Sequence, residues 1–425
     1  MYQALPVALI VQKFGGTSVG SVERIRNVAR RCLKTQSEGN DVVVVVSAMS
    51  GETNRLLGLA NEVVRVPDAR EMDVIAATGE QVSAALMALA IQAEGGQARS
   101  LLGHQVRILT DGAFTKARIQ SIEASKILET VARGKIAVVA GFQGVDENGD
   151  ITTLGRGGSD TSAVAVAAAI GASVCEIYTD VEGVFTTDPG VCPSARKVAR
   201  MSYEEMLELA SLGAKVLQIR SVEIAMNYAV PIHVRSSFSN APGTWVTGED
   251  NVLENIVVSG VAYDKNEARV HIVGVDDKPG VVARIFGSIA DHNVGVDMII
   301  QSVSSVASAG TRHTDITFTV TKADLERAKS FIEEVARTVG AREVRYDEDV
   351  VKVSIVGLGM RSHAGVAAKM FRLLAGEGIN IDAISTSEIK ISCLVAAKYT
   401  ELAVRTLHEG FELSKPPPRA PAPKA

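Results

Sequence analysis

Val11-Gln12-Lys13-Phe14-Gly15-Gly16-Thr17-Ser18-Val19 is the stretch on which the fold and the chemistry of this chain turn. An apolar run from Val7 to Val11 leads into it, and a helical pattern from about Val22 to Leu33 follows. A lysine therefore stands at the end of a predicted strand, with two glycines and two hydroxyls where a helix begins. Gly15 and Gly16 let the backbone come close to a ligand. The following helix N-terminus presents free N–H groups and a partial positive charge, which suits phosphate. The motif is not a Walker loop, because that pattern places its lysine after the glycines and here Lys13 precedes them. Taken alone, the stretch also fits a plain strand–turn–helix connection with a surface lysine, so the rest of the chain has to decide.

Working outward, the first 250 residues or so alternate strands with helices. Val42 to Val46 is a β-branched run of the kind buried on both faces of a parallel sheet, and it ends in Ser47-Ala48-Met49-Ser50-Gly51. A helix is predicted over Thr78 to Ala93 with Glu80 at its start, and a strand over Ile136 to Ala140. An alanine-rich helix over Thr161 to Ile170 stops at Gly171. Further strands are predicted over Val174 to Tyr178 and Ile232 to Arg235, with helices over Glu204 to Leu212 and Ser221 to Asn227 between them. This alternation predicts an α/β, three-layer αβα domain over residues 1–250, with a mainly parallel sheet and ligands at the carboxyl ends of its strands.

Composition agrees. A chain of 425 residues is long enough for two or three domains. Its net charge of -5 is mild, and no basic patch or polybasic segment points to nucleic acid or to a membrane surface. No signal-peptide pattern and no apolar run of transmembrane length is found, so a soluble, cytoplasmic protein is expected. Cys32, Cys175, Cys192 and Cys393 are scattered, and free thiols in a reducing compartment are the simplest account. The seven histidines form no zinc-like spacing.

Beyond the turn-rich boundary around Asn240 to Asn251 lies an internal repeat. Val270 to Val275 matches Val353 to Leu358, Phe286 matches Phe371, and Asp315 to Val320 aligns with Ile389 to Val395. Each copy reads strand, helix, strand, strand, helix, and a period near eighty residues is that of a duplicated domain. The expected boundaries are 251–345 and 346–413. Residues 414–425 form a proline-rich tail expected to be disordered.

Four turns of the first domain carry polar groups that one site can use: Lys13 with its glycines, Ser47, Glu80, and Gly155-Arg156-Gly157-Gly158-Ser159-Asp160. Glu80 and Asp160 taken singly are also ordinary helix-start carboxylates, and Arg156 an ordinary surface charge. Together with Thr78-Gly79-Glu80-Gln81 and Thr179-Asp180-Val181-Glu182-Gly183-Val184-Phe185, these motifs closely resemble aspartate kinases of the amino-acid-kinase family. The resemblance runs from about residue 8 to 412, and the duplicated part resembles two ferredoxin-like (βαββαβ) ACT domains.

That resemblance implies transfer of phosphate from ATP, with Mg2+ held mainly through the nucleotide, to the side chain of L-aspartate. The step opens lysine, threonine and methionine synthesis. A carboxylate nucleophile is already ionised at neutral pH, with a reference pKa of about 3.9, so no general base is required. The work is alignment and charge neutralisation. By resemblance Lys13 contacts the transferred phosphate, while Gly15, Gly16 and Ser159 donate to the phosphates. Asp160 positions Lys13 and helps organise magnesium. Arg156 suits the α-carboxylate, since a guanidinium forms two parallel bonds to it, and Glu80 suits the α-ammonium. Ser47, Thr53, Asn54, Gly157 and Gly158 fall on the aspartate side, and Thr179, Asp180, Phe185, Asp188 and Lys215 on the nucleotide side. One departure stands beside Lys215: many relatives read His-Pro-Arg where this chain has Gln218-Ile219-Arg220.

In the duplicated half the resemblance implies feedback by lysine, threonine or both. The expected effector positions are Asp277, Lys278, Pro279, Gly280, Asn293, Asp297 and Gln301 in the first repeat, with Asp297 receiving an ammonium group. In the second they are Met360, Asn380, Ile381, Ser387 and Glu388. The family also suggests that strand 256–261 joins the second ACT domain. A homo-oligomer, dimer or higher, through the ACT domains is expected, with an α2β2 assembly carrying a short regulatory subunit as the alternative. No methionine lies between Met226 and Met298 to start such a subunit, which favours the homo-oligomer. Rival readings are a glutamate or acetylglutamate kinase and a catalytically silent amino-acid sensor on the same scaffold.

Overall fold

The computed structural model describes residues 8–213, 216–248, 257–306, 312–361, 363 and 365–416. Two compact units divide the chain. The first comprises Met1–Phe185, Lys197–Ser211 and Lys215–Asn251, and the second Thr186–Arg196, Leu212–Ala214 and Val252–Ala425.

In the first unit β1 (Leu9–Phe14) leads through α1 (Val22–Ser37) to β2 (Asp41–Val46), α2 (Glu52–Val63) and α3 (Ala69–Ala93). Next come β3 (Ala98–Leu101), β4 (Ile108–Thr110), β5 (Ile119–Ile122), α4 (Ser125–Ala132) and β6 (Ile136–Ala140). β7 (Gln143–Val145), β8 (Ile151–Thr153), α5 (Gly158–Ile170) and β9 (Val174–Thr179) follow. The rest is β10 (Arg200–Ser202), α6 (Tyr203–Ser211), α7 (Ile219–Asn227), β11 (Ile232–Ser236) and β12 (Thr244–Thr247).

Eight strands form one sheet in the order β10-β12-β11-β9-β1-β2-β6-β3. All its pairs are parallel except β11 with β12. The valines of β2 are at most 1% exposed, as a strand covered on both faces requires. α1 and α3 pack on one face, in a cluster with Phe14, Val44, Val138, Met87 and Ile91. α5 packs on the other, against β1 and β9. Side chains alternate along a strand, so Phe14 enters the α1 side and Lys13 the α5 side. β1 pairs with β2 on one flank and β9 on the other, which makes it the switch strand where open α/β sheets bind ligands. A small sheet, β5-β4-β7-β8, carries the connection into α5.

Two expectations change here. α3 begins at Ala69, so Glu80 sits in mid-helix rather than at its start. The true N-cap is Asp68, whose side chain accepts from the N–H groups of Arg70 and Glu71. Asp68-x-x-Glu71 is the capping pattern that marks such a start. α3 is also, among the described residues, a helix long and apolar enough by length and composition to cross a membrane, yet more than half of its apolar window is buried in this unit. Its buried side includes the carboxylates of Asp73 and Glu80.

The second unit holds two four-stranded antiparallel sheets. β13 (Gly260–Asp264) and β14 (Glu267–Asp276) precede α8 (Val281–Asp291), β15 (Val296–Val306), β16 (Arg312–Thr321), α9 (Lys322–Thr338) and β17 (Glu343–Asp347). β18 (Val350–Val356), α10 (Val366–Gly376), β19 (Ala383–Thr386), β20 (Lys390–Ala396) and α11 (Thr400–Gly410) complete it. The sheet orders are β15-β16-β14-β17 and β13-β18-β20-β19. The edge beside β14 is filled by a strand that follows α9, whereas the edge beside β18 is filled by β13, which precedes the whole first repeat.

This unit also contains a segment from the first 250 residues, contrary to the expected division. Val191 joins the apolar cluster of β18, α10 and α11. Thr186 Oγ1 lies 2.9 Å from His408 Nε2, and Arg405 Nε donates to Val191 O at 2.7 Å. All four cysteines are buried and free. Of the proline-rich tail, residues 417–425 lie outside the described residues.

Candidate active site

β1 delivers Lys13 to the face covered by α5, and the first turn of α5 delivers Asp160. Lys13 Nζ lies 2.6 Å from Asp160 Oδ1, with the two side chains 11% and 12% exposed. α5 starts at Gly158, three residues before the expected Thr161, and this places Asp160 in its first turn. The glycine loop folds back beside the lysine: Gly15 N–H donates to Tyr178 O at 3.3 Å, and Ser18 N–H to Gly15 O at 2.9 Å. Gly16 has no room for a side chain, since a Cβ would stand 2.9 Å from Ala48 O.

The opposite wall comes from β2 and α3. Ala48 N–H donates to Glu80 Oε1 at 2.9 Å. The two elements approach this closely at Gly79, where a Cβ would meet that of Ala48 at 2.8 Å. Glu80 is 3% exposed, and its Oε2 is buried without a hydrogen-bond partner among the described residues. Burial pushes its carboxyl up to about 7, against the lowering effect of the Ala48 N–H. Such a half-satisfied carboxylate on a cavity wall is unfinished. Arg156 is exposed and has no hydrogen-bonding or ionic partner among the described residues. Gly155 and Gly157 beside it are both left-handed, with φ of 78° and 74°.

These groups share one cavity of about 640 Å³. Its walls include Lys13, Gly15, Gly16, Ser47, Thr53, Asn54 and Glu80, and also Arg156, Gly157, Gly158, Ser159, Asp160, Thr179 and Asp180. Two nucleotide-side expectations fall elsewhere. Phe185 is half-buried and bridged to Lys197. Asp188 belongs to the second unit, where Tyr263 OH donates to its Oδ2 at 2.9 Å. Lys215 lies outside the described residues.

The cavity also contains Asp73, Thr115, Phe142 and Thr153, which the sequence did not point to. Asp73 precedes Glu80 by two helical turns on the same side of α3, so a correct helix start would have exposed it. Thr115 and Phe142 are non-glycine residues at φ of 67° and 66°, and such strain clusters at functional sites but leaves no sequence signature.

Residues 8–236 match the amino acid kinase family, and residues 270–335 and 353–411 match the ACT domain. An aspartokinase of Pseudomonas aeruginosa is 56% identical over 412 residues, covering 96% of this chain and 99% of that protein. The chain belongs to the aspartokinases of the amino acid kinase family. As a member it is a kinase. Escherichia coli aspartokinase III, solved with aspartate and ADP, matches with a TM-score of 0.80 and 26% identity, over 95% of this chain and 99% of that one. The same E. coli enzyme solved with lysine and aspartate matches with a TM-score of 0.72, 25% identity and the same coverage.

In the ACT unit, Asp277 N–H donates to Arg312 O at 2.9 Å, and Lys278 Nζ to Asp276 at 2.9 Å. Pro279 precedes Gly280, the left-handed N-cap of α8, and Asn293 has a φ of 54°. Gln301 is an exposed residue of β15. In the second repeat Met360 packs with the β18 cluster beside Ile381, Asn380 Nδ2 donates to Asp382 at 3.0 Å, and Ser387 N–H donates to Lys390 O. Glu388 is exposed. Asp297 does hold an ammonium group, but it is that of Lys352 at 2.5 Å. Lys352 is also paired with buried Glu267.

Proposed function

We propose that this chain transfers the γ-phosphoryl group of ATP to the side-chain carboxylate of L-aspartate, giving 4-phospho-L-aspartate. The observation that carries the reading is the convergence on one cavity of Lys13, one oxygen of Glu80 and the guanidinium of Arg156, the last two without a partner among the described residues. Glu80 Oε2 receives the α-ammonium, Arg156 takes the α-carboxylate in two parallel bonds, and the side-chain carboxylate is thereby aimed toward Lys13. Lys13 balances charge on the moving phosphoryl group, and Asp160 holds Lys13 in place. Gly15, Gly16 and Ser159 offer donors to the phosphates, with Thr179 and Asp180 on the nucleotide side and Ser47, Thr53 and Asn54 on the aspartate side.

Asp160 and Asp180 are oxygen donors on the phosphate side, and no cluster of three or more metal-ligating side chains occurs among the described residues. That fits magnesium, which takes one or two carboxylates and completes its shell with phosphates and water. When bound it screens the phosphate charge.

The ACT unit is the seat of feedback by lysine, threonine or both, and the lysine complex of the E. coli relative supports lysine. A cytoplasmic homo-oligomer joined through the ACT strands is the assembly we favour. The test is purified protein with ATP, magnesium and hydroxylamine. Aspartyl hydroxamate is expected, and product with glutamate but none with aspartate would overturn the reading.

A further inference from the structure

Arg156 has no partner among the described residues to hold it and sits between two left-handed glycines. Its position is therefore set by the two backbone segments that enter and flank its loop. These are the segment Thr115–Ala117 and the segment Thr153–Leu154, joined by Ala117 N–H to Thr153 O at 2.9 Å. Gly155 closes on the same neighbour, since a Cβ there would lie 3.1 Å from Thr115 O.

Two charged side chains from different helices bridge both segments. Asp73, on α3 and 1% exposed, accepts from Thr115 N–H at 2.9 Å and from Thr153 N–H at 2.8 Å through Oδ2, and from Thr153 Oγ1 at 2.6 Å through Oδ1. Arg220, on α7, donates to Leu154 O at 2.7 Å and to Ala117 O at 2.9 Å. The anion takes donors of both segments and the cation takes acceptors of both. The far side of the loop is closed by Gln218, whose Cγ would stand 2.4 Å from a Cβ on Gly157. The clamp also holds Thr115 in its left-handed conformation, which a β-branched residue adopts only when its surroundings impose it.

We propose that Asp73 and Arg220 are positioning residues for aspartate, acting as a two-sided electrostatic clamp that fixes Arg156 at the substrate's α-carboxylate. The inference rests on the reading of Arg156 given above. Both act through the loop, since all of Asp73's hydrogen bonds and both of Arg220's run to its support.

The experiment compares aspartate KM, ATP KM and kcat for Asp73→Asn, Arg220→Met, Arg220→Lys and Arg156→Ala, and for the first two combined with Arg156→Ala. Melting temperatures and circular dichroism accompany each. Asp73→Asn and Arg220→Met are expected to raise aspartate KM about tenfold, a single well-placed polar contact's worth, with ATP KM within about twofold. Arg220→Lys, which keeps the charge, should recover part of the loss. In the Arg156→Ala background the same substitutions should leave aspartate KM unchanged, because the group they place is gone. If Arg156→Ala fails to raise aspartate KM, the assignment of Arg156 falls and the clamp with it. If Arg156→Ala raises it but Asp73→Asn or Arg220→Met multiplies it further by the same factor, Arg156 stands and the clamp is overturned. A variant that fails to fold is replaced by Thr153→Val, which deletes only the Oγ1 bond to Asp73 and must show the same dependence on Arg156.

Discussion

The cavity of the kinase unit and the junction between the two ACT repeats use the same side-chain types to opposite ends. In the cavity, Lys13 has one carboxylate partner, Glu80 has one oxygen unbonded, and Arg156 has no partner among the described residues. At the junction, Lys352 has two carboxylates, Glu267 and Asp297, and Arg269 reaches both Asp347 at 2.9 Å and Asp382 at 3.4 Å. Burial alone would lower the Lys352 ammonium, but the two carboxylates hold it above the ordinary lysine range. Glu80 has no such cation, so burial drives it the other way, toward its neutral form. Charge left incomplete inside a folded unit marks where a ligand finishes the arrangement, and charge already complete marks a joint. A buried group without its counter-charge is costly to keep, so incompleteness needs a functional reason.

That contrast fails if the two lysines behave alike. Lys352→Met leaves Glu267 buried without its cation and should destabilise the ACT unit by about 3 kcal/mol, read by urea denaturation, while kcat of the folded protein stays near wild type. Lys13→Met should do the reverse. Its kcat should fall by about 10²–10³, the scale of losing one group that balances transition-state charge, with aspartate binding little changed and a smaller loss of unfolding midpoint than Lys352→Met, because Asp160 is left on the wall of an open cavity. Equal losses of binding and turnover would remove Lys13 from the phosphoryl group.

Glu80→Gln tests incompleteness directly. Aspartate KM should rise about 10–100-fold, the worth of a hydrogen bond to a charged group. In the wild type, aspartate KM should fall as pH rises through about 7, where the Glu80 carboxyl ionises, and level off above. Stability should move in the opposite sense. A carboxyl raised from 4.5 to about 7 by folding contributes stability that is present below 4.5 and lost as pH rises through 7. Glu80→Gln should therefore melt above wild type at pH 8 and with it near pH 4.5. Equal melting at both pH values would mean that Glu80 is not held charged against burial.

Much of the architecture was legible because it rests on local pattern. The valine run of β2, the lysine-first glycine loop and the eighty-residue repeat each follow from periodicity or turn chemistry. The cavity's two sides were legible unequally. Lys13, Asp160 and Arg156 stand beside glycines that announce a close approach. Asp73 stands within a helix that begins earlier than its pattern suggests, and its partners are Thr115, in the turn between β4 and β5, and Thr153, at the end of β8, both distant in sequence. Arg220 follows no glycine or turn signal, and its role shows only in Leu154 O and Ala117 O, the acceptors of its guanidinium. Tertiary hydrogen bonds to backbone atoms carry no residue-type signal, so a sequence cannot display them. The same holds for Thr186–Arg196, whose membership of the ACT unit depends on His408, Arg405 and Tyr263.

Asp297 lies between the two classes and gives the smallest effect. Its partner Lys352 makes it look structural, yet its side chain is 56% exposed, unlike the 7% of Glu267. An exposed partner adds less than about 1 kcal/mol to such a pair, so Asp297→Ala should barely move the unfolding midpoint, and uninhibited activity should stay unchanged. If an effector's ammonium group shares this carboxylate, half-inhibition by lysine or threonine should need about fivefold more effector, the lower end of an allosteric coupling. Titrating activity with each amino acid singly and together measures this. Unchanged inhibition would leave Asp297 with Lys352 alone and move the ammonium site to another carboxylate, with Asp277 and Glu388 the next to test.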